Sequence, residues 1–207
     1  MGTEKEEKFE FQSEVKQLLD ILVYSLYKNK EVFLRELVSN AADALNKMQF
    51  EFLTVPDLEG KDQELKITVS VDKKLAKLVI EDNGVGMSRE ELVQNIGTIA
   101  HSGTLDYFKK VGADAAKKQV DLIGKFGVGF YSSFMVADRV QLVTRRPGDS
   151  DAGCRWESTG DGTYTVEDCS KESRGTEIIL HLKDDMKEYL DEWKIRSIVK
   201  KYSDYVQ

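Results

Sequence analysis

The sequence has 207 residues, of which 41% are hydrophobic and 32% are charged, and this is typical of one folded globular domain. A formal net charge of −7 without a dense Lys/Arg run argues against a nucleic-acid-binding surface, so a polyanionic ligand would depend on local backbone dipoles or a metal. The polar N-terminus and the lack of a long apolar run predict neither a signal peptide nor a membrane span.

The predicted elements begin with helices. Apolar residues recur at helical spacing over 13–28 and again over 31–53, which predicts two helices. Pro56 and Gly60 then place a loop at 54–64.

The period then changes from helical to alternating. Apolar and polar residues alternate over Ile67–Asp72, and Leu78–Ile80 follows after a short turn, so the two segments predict a β-hairpin. The run Ser88–Glu91 is a capping box, which predicts a helix that begins near Arg89.

The second half of the chain is predicted to be mainly strands. Residues 97–123 have no sustained period, as is typical of a mobile segment or lid, and the glycine-rich run Gly124–Gly129 leads into a short predicted helix, 130–135. Strands are predicted over Val140–Arg146, Cys154–Ser158, Tyr164–Glu167 and Thr176–Lys183, and a closing helix over 186–203. This order predicts an α+β fold with helices over one face of a sheet.

The second predicted helix carries one polar stripe. At 100° per residue, Glu36, Asn40, Asp43 and Lys47 fall within about 60° of one another. The stripe is either the solvent face of an amphipathic helix or the wall of a polar cleft. In a cleft, Glu36 could deprotonate a water and the Asn40 amide oxygen could bind Mg²⁺, a cation that prefers oxygen ligands.

The segment Glu81–Met87 ends a strand in a carboxylate and two nearby glycines. It is either a plain strand-to-helix turn or a site in which Asp82 accepts a hydrogen bond from an exocyclic amine and Met87 packs on an aromatic ring. The glycine spacing does not match the dinucleotide-binding fingerprint, because Arg89 stands where its third glycine would fall.

The segment Gly124–Phe130 has a G-x-x-G-x-G order. It is not a P-loop, because Phe126 follows Gly-Lys where that motif has Ser or Thr. A glycine-rich loop that opens a helix still offers free N–H groups to phosphates, and the alternative is a tight packing turn.

Taken together and in this order, these segments resemble the motifs of the 90-kDa heat-shock chaperone family. The resemblance rests on Phe33–Leu45, Asp82–Met87, Ile96–Ala100, Gly127–Ser132 and Arg174–Thr176, and it runs from about Phe11 to the C-terminus. Phe11–Leu19 and Trp193–Asp204 look closest to the bacterial members.

The resemblance implies a fold shared with gyrase, histidine kinases and MutL. This fold is a two-layer α/β sandwich with an eight-stranded mixed, mainly antiparallel sheet and helices on one face. Residues 1–207 are then expected to be a single N-terminal ATP-binding domain with an ATP lid at about 97–124, and the family's middle and C-terminal dimerisation domains lie outside this chain.

The resemblance also implies roles for particular residues in binding ATP or ADP with Mg²⁺. Glu36 resembles the catalytic base, Asn40 the magnesium ligand, and Asp82 the adenine-reading carboxylate, which Thr176 assists through water. Further nucleotide contacts are implied for Asp43, Gly86, Met87, Asn95, Ile96, His101, Ser102, Gly103, Gly127, Val128, Gly129 and Phe130. The family usually has Lys where this chain has His101, so we expect the contribution of that position to nucleotide binding to be weaker or pH-dependent.

The implied activity is ATP hydrolysis, weak in the isolated domain, within a cytoplasmic stress-response chaperone that assists protein folding through nucleotide-driven lid closure. Its expected partners are adenine nucleotide and, in the full-length homodimer, client proteins and co-chaperones, whereas the isolated domain is expected to be a monomer that binds neither nucleic acid nor membrane. Two alternatives stay open: a histidine-kinase-type catalytic domain, and a nucleotide-gated binding module that does not hydrolyse ATP. Cys154 and Cys169 do not form a C-x-x-C pair and a chain of this length does not need a disulfide, so a reducing compartment is favoured.

Overall fold

The computed structural model describes residues 7–10, 29–55, 57–97, 129–148 and 153–203. In chain order the elements are β1 (Glu7–Glu10), α1 (Val32–Thr54), β2 (Ile67–Asp72), β3 (Lys77–Asp82), α2 (Arg89–Gly97), a 3₁₀ helix (Gly129–Met135), β4 (Ala137–Arg145), β5 (Gly153–Ser158), β6 (Thr163–Cys169), β7 (Gly175–Leu182), a second 3₁₀ helix (Asp184–Leu190) and α3 (Glu192–Ser203). Within these ranges, none of the helices combines the length and the apolar character that a membrane crossing requires. The helix predicted over 13–28, and the predicted lid beyond Gly97, lie outside the described residues.

The strands form one sheet in the order β1-β6-β5-β4-β7-β3-β2. Every pairing between the described strands is antiparallel. The predicted α+β fold is therefore confirmed, but the predicted eight strands and the mixed character of the sheet are not, because the described residues supply seven strands and no parallel pair.

The sheet buries one face. Leu78, Leu180 and Val140 lie opposite one another on three adjacent strands and are fully buried. The next row along the strands, Ile80, Ile178, Leu142 and Trp156, is buried on the same side. Alternate residues on these strands are mostly only half-buried. This alternation predicts one covered and one wetter face, so the described residues form two layers.

α1 covers the buried face of the sheet. Its residues Phe33, Leu34 and Leu37 are at most 1% exposed and belong to the same apolar cluster as the buried rows of the sheet. Each such side chain contributes about 1.5–3 kcal/mol when it leaves water. This packing fixes the axis of α1 over the sheet and thereby places the polar residues of α1 relative to the ends of β3 and β7.

Two predicted helices differ from what is found. The closing helix predicted over 186–203 is wrong as a single helix, because Asp191 has extended backbone (φ −84°, ψ 115°) and separates the second 3₁₀ helix from α3. The Asp191 carboxylate accepts the N–H groups of Trp193 (2.8 Å) and Lys194 (3.3 Å), which makes it the N-cap of α3.

The short helix predicted over 130–135 is a 3₁₀ helix and begins at Gly129. The hydroxyls of Ser132 and Ser133 donate to the carbonyl oxygens of Gly129 and Phe130, each three residues earlier, at 2.5 and 2.7 Å. These side-chain bonds satisfy carbonyls in the first turn and favour the tighter winding.

Candidate functional site

A cavity of about 820 Å³ opens between α1, α2 and the ends of β3 and β7. Its apolar part is lined by Ile80, Leu142, Ile178 and Phe130. Polar groups enter from α1 (Asn40, Asp43), from β3 (Asp82), from α2 (Asn95) and from β7 (Thr176). An apolar hollow of this size with a few converging polar groups is typical of a small-molecule site.

The structure brings together most of the residues that the sequence predicted for a nucleotide site. Of these, Asn40, Asp43, Asp82, Gly86, Met87, Asn95, Ile96, Gly129, Phe130 and Thr176 all line this cavity. The predicted contacts His101, Ser102, Gly103, Gly127 and Val128 lie outside the described residues. The shared cavity is the feature that unites segments up to 136 residues apart in the sequence, from Asn40 to Thr176.

Asp82 is a buried acid at the end of β3. Its side chain accepts the backbone N–H of Gly84 at 2.9 Å, and the residue is only 6% exposed. Burial raises the pKa of Asp82 from 3.8 to about 6, although hydrogen bonds from the backbones of Gly84 and Thr176 act in the opposite direction. With one oxygen fixed by Gly84, the carboxylate has acceptor capacity left for a ligand in the cavity.

Two threonines extend the polar row that Asp82 begins. Asp82 lies opposite Thr176, and Thr176 lies opposite Thr144, on three adjacent strands. The Thr144 hydroxyl accepts the backbone N–H of Met87 at 2.9 Å and lies 3.0 Å from the Thr176 hydroxyl. Thr144 thus connects the turn after β3 to β7, a role that the sequence analysis missed because it appears only when the strand register is known.

The turn after β3 is clamped on two sides. Val85 donates its N–H to the Ala44 carbonyl of α1 at 3.1 Å. Gly86 has φ +60°, and a Cβ there would lie 2.0 Å from the carbonyl oxygen of Arg145. Only glycine fits this position without displacing backbone, so the turn that carries Met87 is held rigidly beside Asp82.

Glu36 is buried behind the cavity rather than exposed on its helix. The residue is 6% exposed and does not line the cavity. Arg35 donates from Nε and Nη2 to Oε1 of Glu36 at 3.0 and 2.5 Å. A Cβ on Gly129 would lie 2.7 Å from Oε2 of Glu36. The solvent-face interpretation of the polar stripe therefore fails for Glu36, which instead lies directly against the start of the 3₁₀ helix.

Asn40 is the candidate cation ligand. In the part of the chain that is described, no cluster of three or more His, Cys, Asp or Glu residues could hold a metal. The exposed Asn40 side chain lines the cavity and offers an amide oxygen. This donor set fits Mg²⁺, which is commonly held by one or two protein oxygens together with substrate phosphates and water, and it does not fit a metal that needs several protein ligands.

Comparison with known proteins agrees with this geometry. A family model described as "Histidine kinase-, DNA gyrase B-, and HSP90-like ATPase" matches residues 27–187. The chain is 62% identical over 199 residues to "Chaperone protein HtpG" of Geobacter sulfurreducens, which covers 95% of this chain and 30% of that protein. Proteins of the same name from Yersinia enterocolitica and Escherichia coli O1:K1 are each 55% identical over 197 residues, which cover 95% of this chain and 31% of those proteins. The chain therefore spans about a third of the length of these relatives.

Proposed function

The chain belongs to the histidine kinase-, DNA gyrase B-, and HSP90-like ATPase family, and from this premise we propose that it binds ADP and ATP with Mg²⁺ and hydrolyses ATP as the nucleotide-binding part of a chaperone. The observation that carries the proposal is the buried acid Asp82, which lines the same cavity as Thr176, Met87 and Asn40. The relatives named HtpG support the chaperone assignment.

Asp82 is the group that reads the adenine. An ionised carboxylate only accepts hydrogen bonds, so it selects a ring that carries an exocyclic amine over one that carries a carbonyl at the same place. Thr176 lies beside Asp82 in the sheet register and assists through water. The half-buried Met87 supplies an apolar surface for the ring.

Asn40, Gly129 and Glu36 act at the phosphate end. Asn40 would hold Mg²⁺, which when bound would neutralise phosphate charge. Gly129 begins a helix that follows the predicted phosphate loop, and its missing side chain leaves room beside Glu36. Glu36 is the general base for the attacking water, and its burial against Gly129 supports that role because Gly129 belongs to the predicted phosphate loop.

The wider setting is also part of the proposal. Within this chain we expect a lid at about 97–124 that closes over the nucleotide and an eighth strand in the sheet. In the longer protein we expect dimerisation and the binding of client proteins and co-chaperones. A cytoplasmic location is supported by two free cysteines. They cannot form a disulfide with each other in this sheet, because Cys154 lies opposite Asp168 and Cys169 lies opposite Gly153, which turns the two thiols to opposite faces.

Calorimetry with ADP and Mg²⁺ tests the adenine-reading role of Asp82. In Asp82→Asn the amide oxygen would stay with the Gly84 N–H and the NH₂ group would face the ligand's amine, so donor meets donor. We expect affinity to fall by at least about 10- to 150-fold, the value of a hydrogen bond to a charged acceptor.

Glu81→Gln is the matched control for this test. Glu81 precedes Asp82 on β3 but is exposed, so the control should bind like the wild type. A wild type that does not bind ADP would refute the proposed function, whereas normal binding by Asp82→Asn would refute only the role given to that residue.

A second experiment separates binding from hydrolysis. Glu36→Ala should retain nucleotide binding and, in the longer protein, slow hydrolysis by about 10²–10⁴-fold, as expected for the loss of a general base. Asn40→Ala should instead weaken the dependence of binding on Mg²⁺. If Glu36→Ala lost binding as completely as Asp82→Asn, Glu36 would not be a base that acts after binding.

A further inference from the structure

An arginine bridges two helices at one end of the cavity. Arg146 follows β4, and its Nη2 lies 2.7 Å from Glu51 in the last turn of α1, while its Nη1 lies 2.7 Å from Glu91 in the first turn of α2. All three residues line the cavity. Their side chains are 26–39% exposed, so the bridge is a partly screened, two-armed ion pair at the cavity rim.

The bridge joins the two walls that carry the predicted nucleotide contacts. α1 presents Asn40 and α2 presents Asn95, and the two helices make little direct contact because the cavity lies between them. On α2, the second oxygen of Glu91 also accepts the backbone N–H of Ser88 at 2.9 Å. The carboxylate that holds Arg146 is therefore itself fixed to the start of the helix.

We propose that Arg146 is a positioning residue for the nucleotide site, because it fixes the spacing of α1 and α2 and so keeps the free protein in the shape that binds adenine nucleotide. This inference rests on the proposed function. A planar guanidinium can bond two carboxylates that approach from different directions, whereas an ammonium group acts as a single point charge. Arg146 takes part in no covalent step and need not touch the ligand.

Arg89, the first residue of α2, provides a matched control for Arg146. Its guanidinium pairs with Asp168 at 3.0 Å and with Glu7 at 3.3 Å, and it is 26% exposed, close to the 30% of Arg146. Arg89 ties α2 to β6 and β1 instead of α1, and it does not line the cavity. Arg89→Gln therefore removes a similar pair of ionic contacts but leaves the link between α1 and α2 in place.

The test is calorimetry of ADP binding with Mg²⁺ for wild type, Arg146→Gln, Arg146→Lys and Arg89→Gln at low salt. We expect the dissociation constant to rise about 2- to 30-fold in Arg146→Gln, the range given by the loss of two partly exposed ion pairs that bias the free protein toward its binding-competent shape. Arg146→Lys should be intermediate, and Arg89→Gln should match the wild type. Raising the salt should bring wild type and Arg146→Gln together, because screening weakens the bridge.

A double variant tests whether the effect acts through the bridge. Adding Glu51→Gln to Arg146→Gln should cost no further affinity, because the bond is already absent. Equal affinity of Arg146→Gln and wild type, an equal loss in Arg89→Gln, or additive losses in the double variant would each overturn the inference. If the wild type itself bound no ADP, the proposed function would fail first, so the two failures are distinguishable.

Discussion

Replacing Asp82 by Asn should make the nucleotide-free protein more stable at neutral pH. Burial raises the pKa of Asp82 from 3.8 to about 6, so folding favours the protonated acid. The stabilisation that protonation provides is complete below about pH 4 and is lost as the pH rises through about 6. The asparagine variant carries no charge at this position and keeps an oxygen for the Gly84 N–H.

The size of the effect follows from the two pKa values. The interval from 3.8 to about 6 corresponds to about 3 kcal/mol of unfolding free energy. Relative to the wild type, Asp82→Asn should therefore gain up to about 3 kcal/mol between about pH 4 and pH 7.5. For a domain of this size, that gain corresponds to a rise in melting temperature of about 6–12 °C.

Urea unfolding of both proteins without nucleotide, from about pH 4.5 to 7.5, measures this difference. Glu81→Gln is the control, because this exposed neighbour makes only a small contribution to the raised pKa of Asp82 and the variant should keep most of the pH dependence of the wild type. A stability difference that stays constant with pH, or that shrinks as the pH rises, would show that the buried carboxylate carries no such cost. Together with the predicted loss of ADP binding, the expected result would identify Asp82 as a residue retained for binding at the expense of stability.

Three further substitutions test the frame around the cavity. Gly86→Ala should cost several kcal/mol in urea unfolding because its Cβ would overlap a backbone carbonyl. Gly148 also has positive φ, but none of the described residues lies within 4 Å of a Cβ there, so Gly148→Ala should cost only about 1–2 kcal/mol. Thr144→Val should cost about 1–3 kcal/mol because the N–H of Met87 loses its acceptor, and Thr144→Ser should restore most of this loss. Tyr131→Phe removes the hydroxyl that donates to the Ile96 carbonyl of α2, and thermal melting should show that the free energy of unfolding falls by about 0.5–1.5 kcal/mol. An unchanged melting temperature would mean that water replaces this bond.

The elements with a strong period could be predicted from the sequence almost to the residue. The helix predicted over 31–53 is found at Val32–Thr54, and the predicted hairpin is β2 and β3. Both have one face buried in the core, so their apolar residues must follow the geometry of the element. The capping box is also confirmed, since Ser88 and Glu91 exchange side-chain bonds with each other's N–H at 2.9 and 3.2 Å.

Other elements depend on partners that are distant in the sequence. β1 has the sequence EKFE, which contains one apolar residue and no recognisable alternation, and it forms by pairing with Thr163–Val166 of β6. The break at Asp191 was missed because the apolar spacing continues across it. Its signal was a capping residue in the middle of a predicted helix.

The residues of the candidate site could be predicted where they belong to a sequence motif. Asp82 and Gly86 belong to one short segment, and their neighbours in sequence suffice to predict that both line one cavity. The role of Arg146 could not be predicted in this way, because its two partners lie 55 and 95 residues away in the sequence and come together only through the packing of α1 and α2. Glu36 is an intermediate case: helical spacing grouped it with the polar stripe, but only the position of Gly129 explains why it is buried.

The pairing of Arg35 with Glu36 has a consequence for any anion that reaches Gly129. A bare carboxylate about 4 Å from a phosphate oxygen would repel it by about 4 kcal/mol at the effective dielectric of a partly wet site. Arg35 offsets part of that repulsion, because its guanidinium lies 2.5 Å from the carboxylate oxygen that faces it. Oε2 of Glu36 does not pair with Arg35 and lies beside Gly129. Glu36 should therefore repel a phosphate less than a bare carboxylate would, while Oε2 keeps a lone pair that can accept a proton.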